Sequence, residues 1–210
     1  MVAVTFDVDG TLYDLGRQRL RALPGLVRHP RVVQSWRRQT EALRGQRISD
    51  FHAEVHRRIS DELGLSLDRV EAAVQRTLGS AWLGSFHEGT PLPGMSDVLD
   101  ALDAQGIPRA VVSDHPSETK LQAMGLDQGW ATLVDCSALG ALKPLPDGLV
   151  AAATAMNVSP ADILHIGDRD DTDGGMTRAA GASLLLRGRE WTTASDLLAA
   201  LGLAPGQVPT

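Results

Sequence analysis

A doubly wound parallel α/β core carrying an all-helical insertion is the fold class that the 210-residue sequence predicts. Three observations carry it. Five short apolar runs lack the polar alternation of half-exposed strands, segments of helical periodicity lie between them, and residues 16–87 show helical periodicity alone. Strands without alternation are buried on both faces, which is the mark of a parallel sheet. Alternating strand and helix then implies right-handed crossovers, with the ligand outside the carboxyl ends of the strands.

Val2 to Phe6 is the first run and breaks abruptly into Asp7-Val8-Asp9-Gly10-Thr11. Ala110 to Val112 ends at Ser113-Asp114, Thr132 to Val134 at Asp135, and Ile163 to Ile166 at Gly167-Asp168. Ser183 to Leu186 is the fifth. Helices are expected over Ser96–Gln105, Asp147–Met156 and Thr172–Ala180, the last stopped by Gly181. Within the insertion, Ile48, Phe51, Val55, Ile59 and Leu63 recur at three- and four-residue steps, an amphipathic helix with Ser49 or Asp50 as cap and Gly64 as stop. Asp68–Leu78 reads as a second helix, with Val70, Ala73, Val74, Thr77 and Leu78 inward, and Val32–Leu43 as a third. Pro91-Leu92-Pro93-Gly94 marks the return, so residues 1–15 and 88–210 form the core and 16–87 the inserted helical domain.

Composition narrows the function. The aromatic share of 4% does not suggest a base-stacking surface, and the chain is acidic overall at −6, so no nucleic-acid partner is expected. Cys136 is the single cysteine, which rules out an intramolecular disulfide and a thiolate cluster. No stretch approaches the roughly 20 apolar residues of a membrane span, and no basic leader precedes the first strand, so a cytoplasmic protein is expected. The charge is uneven: residues 16–87 hold thirteen arginines against seven acids, leaving seven basic and nineteen acidic residues elsewhere.

Asp7 and Asp9 stand two apart on a loop, so their carboxylates can converge on one ligand, with Gly10 allowing the turn. An aspartate is a usable nucleophile toward phosphorus and needs a second group to protonate the leaving oxygen. Carboxylates facing a phosphate also require a divalent cation, and hard oxygen ligands suit Mg²⁺. A plain strand-end Asx turn explains Asp-x-Asp-Gly equally well by itself. Asp168, Asp170, Asp171 and Asp173 crowd four carboxylates after another strand and would repel one another without a cation. A helix start explains them as well, with Asp171 or Thr172 capping while Asp168 faces the metal. An EF-hand does not fit, because no Glu follows at the required spacing. Ser113 and Lys143 are a strand-end hydroxyl and a lone cation, each informative only in company.

In this order the motifs resemble the haloacid dehalogenase-like phosphohydrolase superfamily: Asp7-Val8-Asp9-Gly10-Thr11, Ser113, Lys143-Pro144, and Gly167-Asp168 with Asp173, over roughly residues 1–15 and 88–190. The resemblance implies a Rossmann-like core in which Asp7 is the nucleophile and a metal ligand. It further implies that Asp9 is the general acid/base, giving the metal its backbone carbonyl, that Ser113 and Lys143 hold phosphate, that Asp168 completes the metal ligands, and that Asp173 orients the site. Asp170 and Asp171 receive no role. The insertion sits where the superfamily carries a helical cap, and a basic cap over an acidic, Mg²⁺-loaded core fits a small anionic phosphate ester. Asp9 argues against dehalogenation, since a departing halide needs no proton. A phosphomutase on the same scaffold and a non-catalytic regulatory or binding member of the fold are the alternatives.

The remaining residues read more blandly. His115 is a loop histidine close to Ser113, and His165 is a packed core residue within its strand. His52 and His56, four apart, read as a polar helix face rather than zinc ligands. Cys136 reads as an inert thiol, and Trp36, Trp82, Trp130 and Trp191 as packing residues.

Overall fold

The computed structural model describes residues 2–204. Strands β1 (Ala3–Phe6), β2 (Arg109–Ser113), β3 (Leu133–Asp135), β4 (Ile163–Gly167) and β5 (Ser183–Leu186) form one all-parallel sheet in the order β3-β2-β1-β4-β5. Every apolar run read from the sequence is thus a strand. Along β1, Val4 and Phe6 enter one apolar cluster with Val111, Ile166, Leu102 and Trp191, while Ala3 enters a second with Ala110, Val112, Leu149 and Met176. Successive side chains point to opposite faces, and both faces are covered, which is why these runs carry no polar alternation. Each fully buried Leu, Val or Phe contributes roughly 1.5–3 kcal/mol relative to exposure. Two-sided burial fails at the sheet edges, where Leu133 and Ser183 are exposed.

The helices are α1 (Leu15–Leu26), α2 (Pro30–Leu43), α3 (Phe51–Leu63), α4 (Leu67–Val74), α5 (Met95–Ala104), α6 (Glu118–Met124), α7 (Asp147–Met156), α8 (Gly175–Ala180) and α9 (Ala194–Leu201). Everything between β1 and β2 before α5 is helical or irregular. In α3, Phe51, Val55 and Ile59 are buried, Asp50 Oδ1 accepts the Ala53 N–H at 3.0 Å, and Gly64 closes the helix at φ +64°. The second insertion helix does not stop near Leu78: α4 runs on as a π-helical segment, Gln75–Trp82. Thr77 lies in it, its hydroxyl donating to the Ala73 carbonyl at 2.7 Å, a local competitor for the ordinary helical ladder. Tyr13 and Pro91 form an antiparallel bridge, and the Leu92 N–H donates to the Leu12 carbonyl at 2.8 Å. The chain therefore leaves and re-enters the core through two strapped segments.

The helix expected from Thr172 also differs. A π-helical turn, Asp170–Gly174, precedes α8, and neither Asp171 nor Thr172 caps it. Asp173, inside the turn, instead ties down the segment before it: its Oδ2 accepts the N–H groups of Asp168 and Arg169, each at 3.1 Å. No helix among the described residues is long and apolar enough to cross a membrane.

Candidate active site

The Asp7 N–H donates to the Ile166 carbonyl at 2.9 Å, extending the β1–β4 ladder by one bond and fixing Asp7 at the seam of the two strand ends. The central strands β1, β2 and β4 end at Phe6, Ser113 and Gly167, so three of the sequence motifs meet at one sheet edge. Lys143 reaches the same place from the loop before α7. Its Nζ donates to Asp7 Oδ1 at 2.6 Å and to Asp173 Oδ1 at 2.7 Å, and all three residues are buried. The Thr11 hydroxyl donates to Asp7 Oδ2 at 3.1 Å.

Asp7, Asp168 and Asp173 each bring one carboxylate oxygen within 4.8 Å of the others. Burial is the largest influence on the Asp7 carboxyl and, with Asp173, Asp168 and Asp9 nearby, pushes it up to about 8 despite Lys143. Asp168 is raised to about 6, first by burial and then by Asp173. Burial acts upward on Asp173 as well, but Lys143 and His165 overcome it and hold Asp173 well below the carboxylate range. The two carboxylates divide because Asp173 has four donors around it and Asp7 has fewer. His165, fully buried, brings Nε2 to 3.2 Å from Asp173 Oδ1 and Nδ1 to 2.8 Å from Thr5 Oγ1. Since a carboxylate only accepts, Nε2 carries the proton and the Thr5 hydroxyl donates to Nδ1. It is the packed core residue the sequence suggests, with an added function of supporting Asp173.

Asp9 is arranged differently. Its carboxylate stands apart from the three-carboxylate cluster, bound by Lys120 Nζ at 2.7 and 2.8 Å and by the Tyr13 hydroxyl. Burial acts upward on Asp9, but Lys120 and the hydrogen bonds from Lys120 and Tyr13 leave its carboxyl below the ordinary value. Ser113 is buried at the end of β2, where its Oγ accepts the His115 N–H at 3.4 Å. Asp170 and Asp171 point away, paired with Arg178 at 3.0 Å and Arg169 at 2.6 Å.

Sequence reasoning missed four contributors. Lys120 and Tyr13 bind Asp9, Arg187 Nη1 donates to the Gly10 carbonyl at 2.5 Å, and Arg44, at the end of α2, reaches the loops after β2 and β3. Arg44 Nη1 donates to Asp114 Oδ2 at 2.5 Å and to the Lys143 carbonyl at 2.8 Å. Nearby, the Ile48 N–H donates to the Gly140 carbonyl at 2.7 Å, and Arg47 pairs with Asp147 at 3.0 Å. His52 and His56 are half-buried against an aromatic neighbour: Trp36 stacks on His52 at 5.8 Å and lies 5.7 Å from His56 and 6.2 Å from His115. An aromatic residue on the neighbouring helix would have been the signal for that. Cys136 is buried, and burial pushes its thiol up, in keeping with an inert role.

A doubly wound sheet with paired aspartates after its central strand and a buried lysine between acidic motifs defines a class of hydrolase. The description "haloacid dehalogenase-like hydrolase" matches residues 1–181, and the chain belongs to that family. It is 29% identical over 181 residues to the N-acetylmuramic acid 6-phosphate phosphatase of Pseudomonas aeruginosa, covering 79% of this chain and 73% of that protein. It is 30% identical over 133 residues to the phosphoglycolate phosphatase of Escherichia coli K12, covering 60% of this chain and 53% of that one, so the match spans about half of the latter's length. A solved structure described as a predicted phosphoglycolate phosphatase from Haemophilus somnus aligns at TM-score 0.68 and 20% identity, over 96% of this chain and 98% of that one. The structural likeness establishes the fold.

Proposed function

We propose that this chain is a Mg²⁺-dependent phosphoric monoester hydrolase working through a phosphoryl group carried on Asp7. The observation that supports it most is the convergence of Asp7, Asp168, Asp173 and Lys143 at the carboxyl edge of β1 and β4. The family and its phosphatase-named relatives point to the same reaction class.

In this reading the Asp7 carboxylate attacks phosphorus, an O–P bond forms to Asp7, and the ester P–O bond breaks. Asp9, which Lys120 and Tyr13 keep ionised in the free enzyme, takes up one proton as the substrate monoanion binds and gives it to the departing alkoxide. Water then attacks the phosphorus, its proton returns to Asp9, and the Asp7–phosphoryl bond breaks to release phosphate. Lys143 and Ser113 hold the phosphoryl oxygens. The donor set fits a hard divalent cation: Lys143 contacts Asp7 and Asp173 but not Asp168, and burial together with the crowding of carboxylates pushes Asp7 and Asp168 up. Asp7 and Asp168, with the Asp9 carbonyl, would hold Mg²⁺, whose charge would shield the carboxylates from the phosphate, while Asp173 orients Lys143 and the Asp168 loop. The 16–87 insertion serves as the cap, closing the leaving-group side and setting the ester accepted.

A panel of small phosphate esters, assayed with Mg²⁺ and with chelator, tests this. Metal-dependent phosphate release is expected from at least one ester. Transfer of phosphate between two positions of a sugar, without release, would replace the hydrolase with a mutase.

Two further outcomes follow. A Cβ at Gly10 would lie 2.1 Å from Asp168 Oδ2, at a φ of +101° that disfavours any side chain. Gly10→Ala should therefore push the Asp168 carboxylate aside and weaken Mg²⁺ binding by about 10–100-fold, read by calorimetric titration. The pH dependence has a definite sign. Asp7, raised to about 8, is largely protonated in the metal-free protein at neutral pH, and a cation binds only the carboxylate. Mg²⁺ affinity should rise with pH up to about 8 and then level off. Titrations in two buffers of different ionisation enthalpy should show proton release near pH 7, and Asp7→Asn should remove most of it. Binding without proton uptake by buffer would contradict the assignment.

A further inference from the structure

The chain has eighteen arginines and only two lysines, Lys120 and Lys143. Arginine serves as cation on the whole surface, yet both lysines are buried, at 4% and 3% exposure, and each sits on one of the paired aspartates. Lys143 belongs to the motifs already read. Lys120 does not, and its contacts match those of Lys143 in closeness: 2.7 and 2.8 Å to the two Asp9 oxygens.

The placement is specific. Lys120 lies in the first turn of α6, directly after the loop that carries Ser113, and crosses to the loop after β1. Asp9 is 29% exposed and Lys120 4%, so the cation sits behind the carboxylate and the carboxylate faces outward. Oδ1 receives both the Tyr13 hydroxyl and Lys120, whereas Oδ2 receives Lys120 alone. Oδ2 is thus the oxygen with fewer donors on it and the one free to carry the proton. A buried ion pair is weak evidence for stability, because desolvation consumes most of the Coulombic gain. That leaves orientation as the better explanation of a buried lysine here.

We infer that Lys120, with Tyr13, is a positioning residue that clamps Asp9 so that Oδ2 faces the leaving oxygen of the substrate. The inference rests on the hydrolase reading and assigns to that site a residue outside its sequence motifs. Lys120 touches neither the phosphoryl group nor the nucleophile; it acts through Asp9.

The test is the dependence of kcat/KM on the leaving group, since this quantity reports phosphoryl transfer to Asp7. An alkoxide must be protonated to depart and p-nitrophenolate need not be. Lys120→Met, Asp9→Asn and the double variant are compared with wild type on p-nitrophenyl phosphate and on the alkyl phosphate hydrolysed fastest. Lys120→Met should lower kcat/KM for the alkyl ester by about 30-fold or more, a part of the roughly 10²–10⁴-fold that an acid/base contribution supplies, and for p-nitrophenyl phosphate far less. The double variant should be no worse than Asp9→Asn alone. Equal losses on both esters, or additive losses in the double variant, would overturn the positioning assignment while leaving the hydrolase intact. A wild type inactive on every ester would remove both.

Discussion

Asp7→Asn should abolish phosphate release, by on the order of 10⁴-fold or more, as expected when a nucleophile is removed from a covalent mechanism. The change keeps the shape of the side chain and its hydrogen bonds with Thr11 in a site where Asp7 is 5% exposed. It should not unfold the protein. Burial makes the Asp7 charge unfavourable, as the upward push to about 8 records, so a neutral amide relieves that penalty. A carboxyl raised in the folded state costs stability as pH climbs from its unfolded value toward about 8. The metal-free variant should therefore melt no lower than wild type at pH 8. Loss of activity with a melting temperature held or raised would separate a chemical role from a structural one. A collapsed fold would show that the carboxylate is needed for packing instead.

The second large effect is on stability. Lys143→Met removes the ammonium shared by Asp7 and Asp173, leaving the ionised Asp173 and the raised Asp7 carboxyl buried without their cation. Breaking a buried pair from one side typically costs about 3–5 kcal/mol, and chemical denaturation of the metal-free protein should show a loss of that order. Asp173 carries most of the burden, because it is the partner held ionised by its surroundings. Adding Asp173→Asn to Lys143→Met should recover part of the loss. If the double variant is as unstable as the sum of two single ones, the three groups do not form the coupled unit described above.

Much of this site was legible in the sequence because its parts lie at strand ends, and strands announce themselves as apolar runs. Asp7, Ser113 and Asp168 each follow such a run directly, and the doubly wound topology brings those ends together. The density of carboxylates marked the segment, but Asp173 was distinguished from Asp170 and Asp171 only by the family resemblance. Lys120 was not legible, since its contact with Asp9 spans 111 residues and its helix is only seven residues long. Helix α1 was hidden by Gly16, Pro24 and Gly25, residues that ordinarily argue against a helix. Helices α6 and α9 are too short for periodicity to single out. The caps of α3 were correct because Asp50 and Gly64 are locally determined, whereas the π-helical turn at Asp170 depends on Asp173 meeting Lys143 and His165. The arginines of the insertion illustrate the same limit. Several pair with its own acids, Arg57 with Glu54 and Asp61 for example, but only the fold shows that Arg44 and Arg47 reach the core.

The central claim is a covalent phosphoryl group on Asp7, and trapping it is the most direct measurement. Wild-type enzyme turning over its best ester would be quenched in acid, reduced with borohydride and digested. Reduction converts an aspartyl phosphate to homoserine, so mass spectrometry of the peptide spanning Asp7 reports the site. Homoserine at position 7, absent without substrate and absent in Asp7→Asn, is the predicted result. Vigorous turnover with position 7 unmodified, or homoserine at another aspartate, would contradict it.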